Sequence, residues 1–268
     1  SVILTFFKKK HILEIHNDMH IEGRITKFIF THLNFFNSKY IVKIVTTTKS
    51  LKNYYSKKYL ISKNKIRVLP NSSDFSRDKI SKKKYIKNIG YFGSIYMSRG
   101  LDKIIFLANN FKDLNFFIYG GEKKEVLDLK KKFKQKNLFF HQYVDQYNIE
   151  KKMKSMDILL LPYSNKITVA GDVGNMFDYT SPLKMFDYLA SGKIIIASNI
   201  KVLREILKDE YNCFFVKNYI NHNAWKIRLK EVLSNPQKSK IVSLNALNSS
   251  KKFTTKIRAE KIVSFFEN

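Results

Sequence analysis

The sequence predicts an α/β protein with parallel sheets, arranged as two units in tandem. Three observations carry this prediction. Short apolar runs of strand type alternate with amphipathic helical stretches along most of the chain. A polar stretch over residues 71–84 interrupts the alternation, which then begins again. No segment recurs at a fixed period, which excludes a solenoid.

Residues 2–7 read as the tail of an element already in progress. Since Ser1 stands where an initiator Met would, the chain is expected to be incomplete at its N-terminus. In the first unit, His11 to His16 reads as a strand, Ile21 to Phe36 as a helix and Tyr40 to Thr46 as a strand. Ser50 to Tyr59 reads as a helix and Lys65 to Leu69 as a strand. Asn71-Ser-Ser-Asp-Phe-Ser-Arg-Asp78, continuing to Lys84, is the linker candidate. In the second unit, Ile89 to Phe92 reads as a strand. Leu101 to Phe111 follows as a helix that turns Ile104, Ile105, Leu107, Ala108 and Phe111 inward. Phe116 to Tyr119, Leu138 to Phe140 and the wholly apolar Ile158 to Leu161 read as strands, separated by helices at Lys123 to Lys134 and Ile149 to Met156. Val202 to Leu207 reads as a short helix and Cys213 to Val216 as the last strand. From Asn223 onward the pattern is helical.

The richest segment is Tyr179-Thr-Ser-Pro-Leu-Lys-Met-Phe-Asp-Tyr-Leu-Ala-Ser-Gly-Lys193 with the strand Ile194 to Ala197 behind it. Ser181 suits a helix cap, Pro182 a first turn and Gly192 a stop. Lys184 is the anomaly, because a cation in the first turn opposes the helix dipole. An anion shared between Lys184 and the free backbone N–H groups of the helix start, in the stretch Thr180, Ser181, Pro182 and Leu183 (Pro182 itself has no N–H), would explain it. Asp187 lies one turn on, where it can accept from ribose hydroxyls. The alternative is an ordinary helix with a solvated Lys and an exposed Asp.

Composition narrows the classes. With 44% hydrophobic and 14% aromatic residues, 268 residues can build a proper core, which excludes disorder. No apolar run reaches the roughly 20 residues needed to span a bilayer. The lone Cys213 makes no internal disulfide and sits in an apolar run, consistent with a reducing, cytoplasmic compartment. The net charge of +28 invites a nucleic-acid reading. The lysines are scattered, however, and lack interleaved aromatic platforms, so no nucleic-acid partner is expected. Attraction to an anionic membrane surface is the partner class that such charge leaves open.

Gly93-Ser-Ile-Tyr-Met-Ser-Arg-Gly100 links a strand to a helix, where a doubly wound sheet places its ligand. Its glycine spacing is not that of a dinucleotide fingerprint. Gly120, in Tyr119-Gly-Gly121, permits either close backbone approach to a ligand or a tight turn. Residues 168–174 form a small-residue loop that suits either a cover over a bound sugar or a plain connection. His16 ends the first strand, facing either a substrate cleft or its own backbone. The His residues and Cys213 show no metal-ligand spacing.

These motifs together resemble family 4 glycosyltransferases, which have the GT-B fold of two Rossmann-like domains. The resemblance implies a partial acceptor-side domain over residues 1–78 and a donor-nucleotide domain over 85–235. It also implies C-terminal helices over 236–268, with Phe253 to Phe266 crossing back to the first domain. The family's ribose-binding glutamate falls on Asp187, and the carboxylate that the family carries eight residues earlier is Tyr179 here, beside Asp178. Of two cations that clamp the donor diphosphate, the second matches Arg99. The first falls on Ser94 or Ile95, next to Gly93, and Lys184 is the compensating candidate. His141-Gln-Tyr-Val144 matches the loop beside the nucleotide base, making Tyr143 and Val144 candidates, with Gln142 in place of the usual Gly. His16 matches a histidine near the transferred sugar. The activity implied is retaining transfer of a hexose from a nucleoside-diphosphate sugar to a glycan or lipid-linked acceptor. It would serve envelope polysaccharide synthesis at the inner face of the membrane, with neither metal nor further cofactor. A non-catalytic nucleotide-binding module of the same fold is the alternative.

Overall fold

Parallel pairing dominates the architecture: among the described residues every strand runs parallel to its neighbours, in two separate sheets. A computed structural model describes residues 1–17, 28, 30, 34–77, 86–165 and 177–267. The predicted helix over 21–36 lies largely outside these, as do the loop 168–174 and residues 78–85 of the linker.

The first sheet holds β1 (His11–Ile15), β2 (Ile41–Thr46) and β3 (Ile66–Val68) in sequential order. The helix Lys49–Lys58 covers it, starting at a Thr48 cap whose hydroxyl accepts from the Leu51 N–H at 3.1 Å. Ile15, Ile41, Ile44, Leu51, Tyr55 and Phe36 form its core. Residues 2–6 are helical and present no buried side chain.

The second sheet contains β4 (Asn88–Phe92), β5 (Asn115–Gly121), β6 (Leu138–Gln142), β7 (Ile158–Leu161), β8 (Ile194–Ser198) and β9 (Phe214–Val216), in the order β6-β5-β4-β7-β8-β9. Every residue of β7 and β8 is buried, because helices cover both faces. One face packs Ile104 and Leu107 of the helix Leu101–Asn110 with Trp225 and Leu229 of the helix His222–Ser234. The other packs Met185, Phe186 and Leu189 of the helix Leu183–Ser191 with Ala246 of the helix Pro236–Ser250. The strand order reverses between β4 and β7. Loops leaving their carboxyl ends diverge there and open a crevice.

Several expectations shift. The glycines Gly120 and Gly121 lie inside β5, at an irregularity in its pairing with β6, and do not form a turn. The helix expected from Ile149 begins at Gln146, because the Asp145 side chain caps it by accepting from the Asn148 N–H at 2.9 Å. Val202 to Leu207 contracts to a 3₁₀ turn at Leu203–Glu205. Cys213 precedes β9, buried and free, and burial raises its thiol pKa.

Several contacts among the described residues join the two sheets' regions. Glu205 accepts from the backbone N–H groups of Lys49 at 2.7 Å and Ser50 at 3.1 Å, capping the first unit's helix from the second. The Tyr54 and Tyr179 rings lie 4.9 Å apart. Arg258, on the last helix Thr255–Glu267, pairs with Glu14 and donates to the Pro70 carbonyl at 3.2 Å.

Candidate functional site

A cavity of about 340 Å³ opens at the reversal of strand order. Gly93, Ser94 and Arg99 reach it from the loop after β4, Tyr119 and Gly120 from β5, and Tyr143 and Val144 from beyond β6. Thr180, Pro182, Leu183, Lys184 and Asp187 close it from the signature helix, Leu183–Ser191, and its approach. Eleven of the twelve residues expected to bind the donor therefore line one cavity. Sequence reasoning missed Phe92, Tyr119, Ile149, Met153 and Tyr163, which also line it.

Two glycines make the site possible. Gly93 has φ 139°, and a Cβ there would collide with the Lys184 amino group. Gly120 has φ 134°, and a Cβ there would fall on the Gly93 carbonyl. The two strand ends can close together, and the lysine can lie across them, only because both positions lack side chains.

The Lys184 ammonium sits 4.2 Å from the centroid of the Tyr91 ring and 5.5 Å from that of Tyr163. Among the described residues no carboxylate pairs with it. Burial, and then the neighbouring Arg99 guanidinium, hold its pKa well below the usual lysine range. Arg99 lies over Tyr163, 5.9 Å from the ring centroid. Tyr163 is pushed up to about 12 by burial, so it stays a neutral phenol. The Tyr91 hydroxyl donates to the Ser94 carbonyl at 2.8 Å and braces the loop. Lys184 thus lies among aromatic rings and beside a second cation, with no carboxylate of the described residues paired to it.

Asp187 faces the opposite balance. Burial pushes its carboxyl up to about 6, a hydrogen bond from Ser73 partly offsets this, and Asp74 and Glu150 add to the rise. Its helix begins differently from expectation. Pro182 is the cap, and no side chain bonds the first turn. Ser181 leaves the cavity lining, and its carbonyl accepts from the Asn71 side-chain amide at 2.8 Å. The chain turns out of the helix at Gly192, with φ 64°, as predicted.

In the wall of the cavity the Phe92 and Tyr119 rings stack 4.8 Å apart and 10° from parallel. Tyr119 in turn stacks on His141 at 4.5 Å. Such a flat apolar wall suits a planar base. Phe92 is fixed by its backbone N–H, which donates to the Tyr188 hydroxyl at 2.9 Å.

His16 does not line this cavity. Its Nε2 lies 3.0 Å from the Glu14 carboxylate, and half of its side chain is exposed. His16 and then Arg258 hold the Glu14 carboxyl down at about 2, overriding burial. The neighbouring Asn17 carbonyl accepts from the Tyr55 hydroxyl at 3.2 Å, and Tyr54 beside it contacts Tyr179. The strand end that carries His16 is thus tied through these tyrosines to the approach of the signature helix.

Residues 72–249 match the profile of glycosyl transferases group 1. No curated protein sequence matches the chain. Among solved structures, Alr3699/HepE from Anabaena in complex with UDP aligns with a TM-score of 0.75 at 14% identity, over 99% of this chain and 74% of that one. TarM aligns at 0.67 and 15% identity, over 95% and 50%. WaaG, a glycosyltransferase involved in lipopolysaccharide biosynthesis, aligns at 0.68 and 12%, over 97% and 76%. This chain thus spans between half and three quarters of the length of these proteins, with which it shares a fold. The profile match covers well over half of the chain, including the cavity's loops and the signature helix: the chain belongs to the group 1 glycosyltransferases.

Proposed function

We propose that the chain transfers a sugar from a nucleoside-diphosphate sugar, with retention of configuration, to a glycan or lipid-linked acceptor. The observation that carries this is the division of labour within one cavity. A partly buried cation pair, Lys184 with Arg99, lies one helical turn from a partly buried carboxylate, Asp187, beside a wall of stacked aromatic rings. Diphosphate, ribose and base have matching chemistry in that order. The UDP and UDP-glucose complexes of the Anabaena protein, which has this fold, support the same ligand class.

As the glycosidic bond breaks, negative charge builds on the departing diphosphate. Lys184, Arg99 and the free N–H groups at the start of the signature helix stabilise that charge without reorganising. Protonation of Lys184 is favoured once the anion is beside it, so the ligand supplies the counter-charge that the fold withholds. Asp187 holds the ribose and fixes the register of the diphosphate. His16, steadied by Glu14, supports the transferred sugar or the acceptor from the first sheet. On this reading residues 1–78 form the acceptor side, residues 85–235 the donor side, and the last helix joins them through Arg258. The reaction needs no metal and yields a nucleoside diphosphate.

WaaG's role supports envelope polysaccharide as the product class. No described helix is long and apolar enough to cross a membrane. The net charge of +28 supports peripheral attraction to an anionic inner membrane face. A non-catalytic nucleotide-binding module is the second reading, favoured by Ser94 and Tyr179 standing where the resemblance expects a cation and an acid.

Incubation with UDP-glucose and other nucleoside-diphosphate hexoses, following release of the diphosphate, separates the two. Turnover with at least one donor, abolished in Lys184→Ala, is the expected result. Tight binding of the nucleoside diphosphate without turnover of any donor, acceptor glycans included, would establish the non-catalytic reading instead.

A further inference from the structure

Lys184 belongs to a helix on one face of the second sheet, packed there through Met185, Phe186 and Leu189. Its ammonium nonetheless rests against Tyr91, whose side chain belongs to the core on the opposite face with Leu101 and Ile104. The lysine reaches that ring by crossing the carboxyl end of β4, and the crossing point is Gly93. A Cβ on Gly93 would come within 2.4 Å of the Lys184 Nζ and 3.4 Å of the Tyr91 hydroxyl. Tyr91 is only 2% exposed and does not line the cavity. Its ring centroid lies 4.2 Å from Nζ, and its hydroxyl donates to the Ser94 carbonyl at 2.8 Å. One side chain outside the cavity lining therefore touches both parts of the cationic site: the lysine of the signature helix, and the loop that runs on to Arg99.

We propose that Tyr91 is a positioning residue of the diphosphate site, its ring seating the Lys184 ammonium while its hydroxyl sets the loop that carries Ser94 and Arg99. This role rests on the diphosphate reading above. An aromatic face attracts the ammonium without neutralising it. A carboxylate in the same place would be an internal counter-ion, and an incoming phosphate would have to compete with it. Burial holds the Tyr91 hydroxyl well above the ordinary tyrosine range, so it stays a neutral donor to Ser94 and never becomes such a counter-ion. The groups facing Lys184 are Tyr91 from β4, Arg99 from the loop after it and Tyr163 from just beyond β7, with Asp187 one turn on along its own helix. Burial and Arg99 disfavour the ammonium, while the two rings in contact with it favour it.

Titration calorimetry of inorganic pyrophosphate and of UDP from pH 6 to 9, on wild type, Tyr91→Phe and Tyr91→Leu, separates the ring from the hydroxyl. Tyr91→Phe loses only the brace on Ser94. Both ligands should bind it about 2- to 10-fold more weakly, with affinity falling away at the wild-type pH. Tyr91→Leu loses the ring as well, and both ligands should bind about 3-fold or more weakly again. Its affinity should also fall away at a lower pH, because the ammonium that the anion needs has lost its aromatic partner and gives up its proton sooner. A merely structural role would weaken binding without moving that midpoint. If Tyr91→Leu does not fold, Tyr91→Met fills the ring's space with a more adaptable side chain, and the same shifts are expected. An unmoved midpoint in the Leu or Met variant, while Lys184→Ala weakens pyrophosphate binding, would overturn the positioning role alone. Wild-type pyrophosphate binding by Lys184→Ala would instead overturn the diphosphate reading on which it rests.

Discussion

Two partly buried cations of this protein are treated in opposite ways. Arg228 lies near the edge of the second sheet. Burial opposes its charge, but Asp209 at 2.7 Å, Glu231 at 2.9 Å and Glu210 at 3.3 Å outweigh that and hold its pKa above the ordinary arginine value. Its Nε also donates to the Phe215 carbonyl at 2.9 Å, which staples β9 to the helix His222–Ser234. Lys184 sits at the centre of the same sheet's carboxyl edge and has two tyrosine rings and another cation for company. A cation that serves the fold comes with its counter-ions. One left without them among aromatic rings is poised for an anion from outside.

The comparison breaks most readily at Lys184. Lys184→Ala should weaken nucleoside-diphosphate binding by about 1.5 to 3 kcal/mol, the scale of a charge-assisted hydrogen bond. Titration calorimetry reads this directly, and wild-type affinity would remove Lys184 from the phosphate site. Arg228→Met should leave that affinity unchanged. It should lower stability by about 1 to 2 kcal/mol, since Asp209 and Glu231 lose their partner and Glu210 keeps only Lys238, all with some access to water. Denaturant unfolding monitored by circular dichroism checks this. A loss of nucleotide affinity in Arg228→Met would mean that the two cations are not divided by role.

Much of this contrast was legible before any coordinates. Lys184 stands out because its charge conflicts with its place in a first turn, a local rule that local sequence can break visibly. The apolar run Ile158 to Leu161 and the stop at Gly192 follow from local chemistry too. What escaped depends on distant partners. Phe92 and Tyr119 read simply as strand residues, because nothing local says that a side chain near a strand's end faces a crevice. A signal was available for both: each directly precedes a glycine at its strand's carboxyl end. Ser181 looked like the helix cap, but Asn71, far away in the chain, draws on its carbonyl, and Pro182 becomes the boundary. The six-residue helix expected at Val202 shortened to one 3₁₀ turn, with Glu205 committed to capping the first unit's helix.

A smaller effect sharpens the comparison from the acidic side. The folded Asp187 carboxyl titrates at about 6, above its unfolded value. The folded state therefore binds that proton more tightly than the unfolded state does. Stability linked to this group is full below about pH 4 and is lost as pH rises through about 6. Asp187→Asn removes the charge and should stabilise the ligand-free protein by about 1 kcal/mol at pH 7, after allowance for solvent access. It should change little below pH 4. Melting temperatures over that range test the sign, and destabilisation at pH 7 would show that Asp187 supports the fold.

The most direct test of a divided nucleotide site is the affinity of wild type and Asp187→Asn for UDP and for inorganic pyrophosphate, measured side by side. A carboxylate bonded to ribose hydroxyls recognises the nucleoside, whereas Lys184 and Arg99 recognise phosphate alone. The variant should bind UDP about tenfold or more weakly, and should bind pyrophosphate as tightly as wild type or more tightly, because a negative charge near the anion is gone. Equal losses for both ligands would mean that Asp187 merely holds its helix in place, and would contradict the assignment of this cavity to a nucleotide-sugar donor.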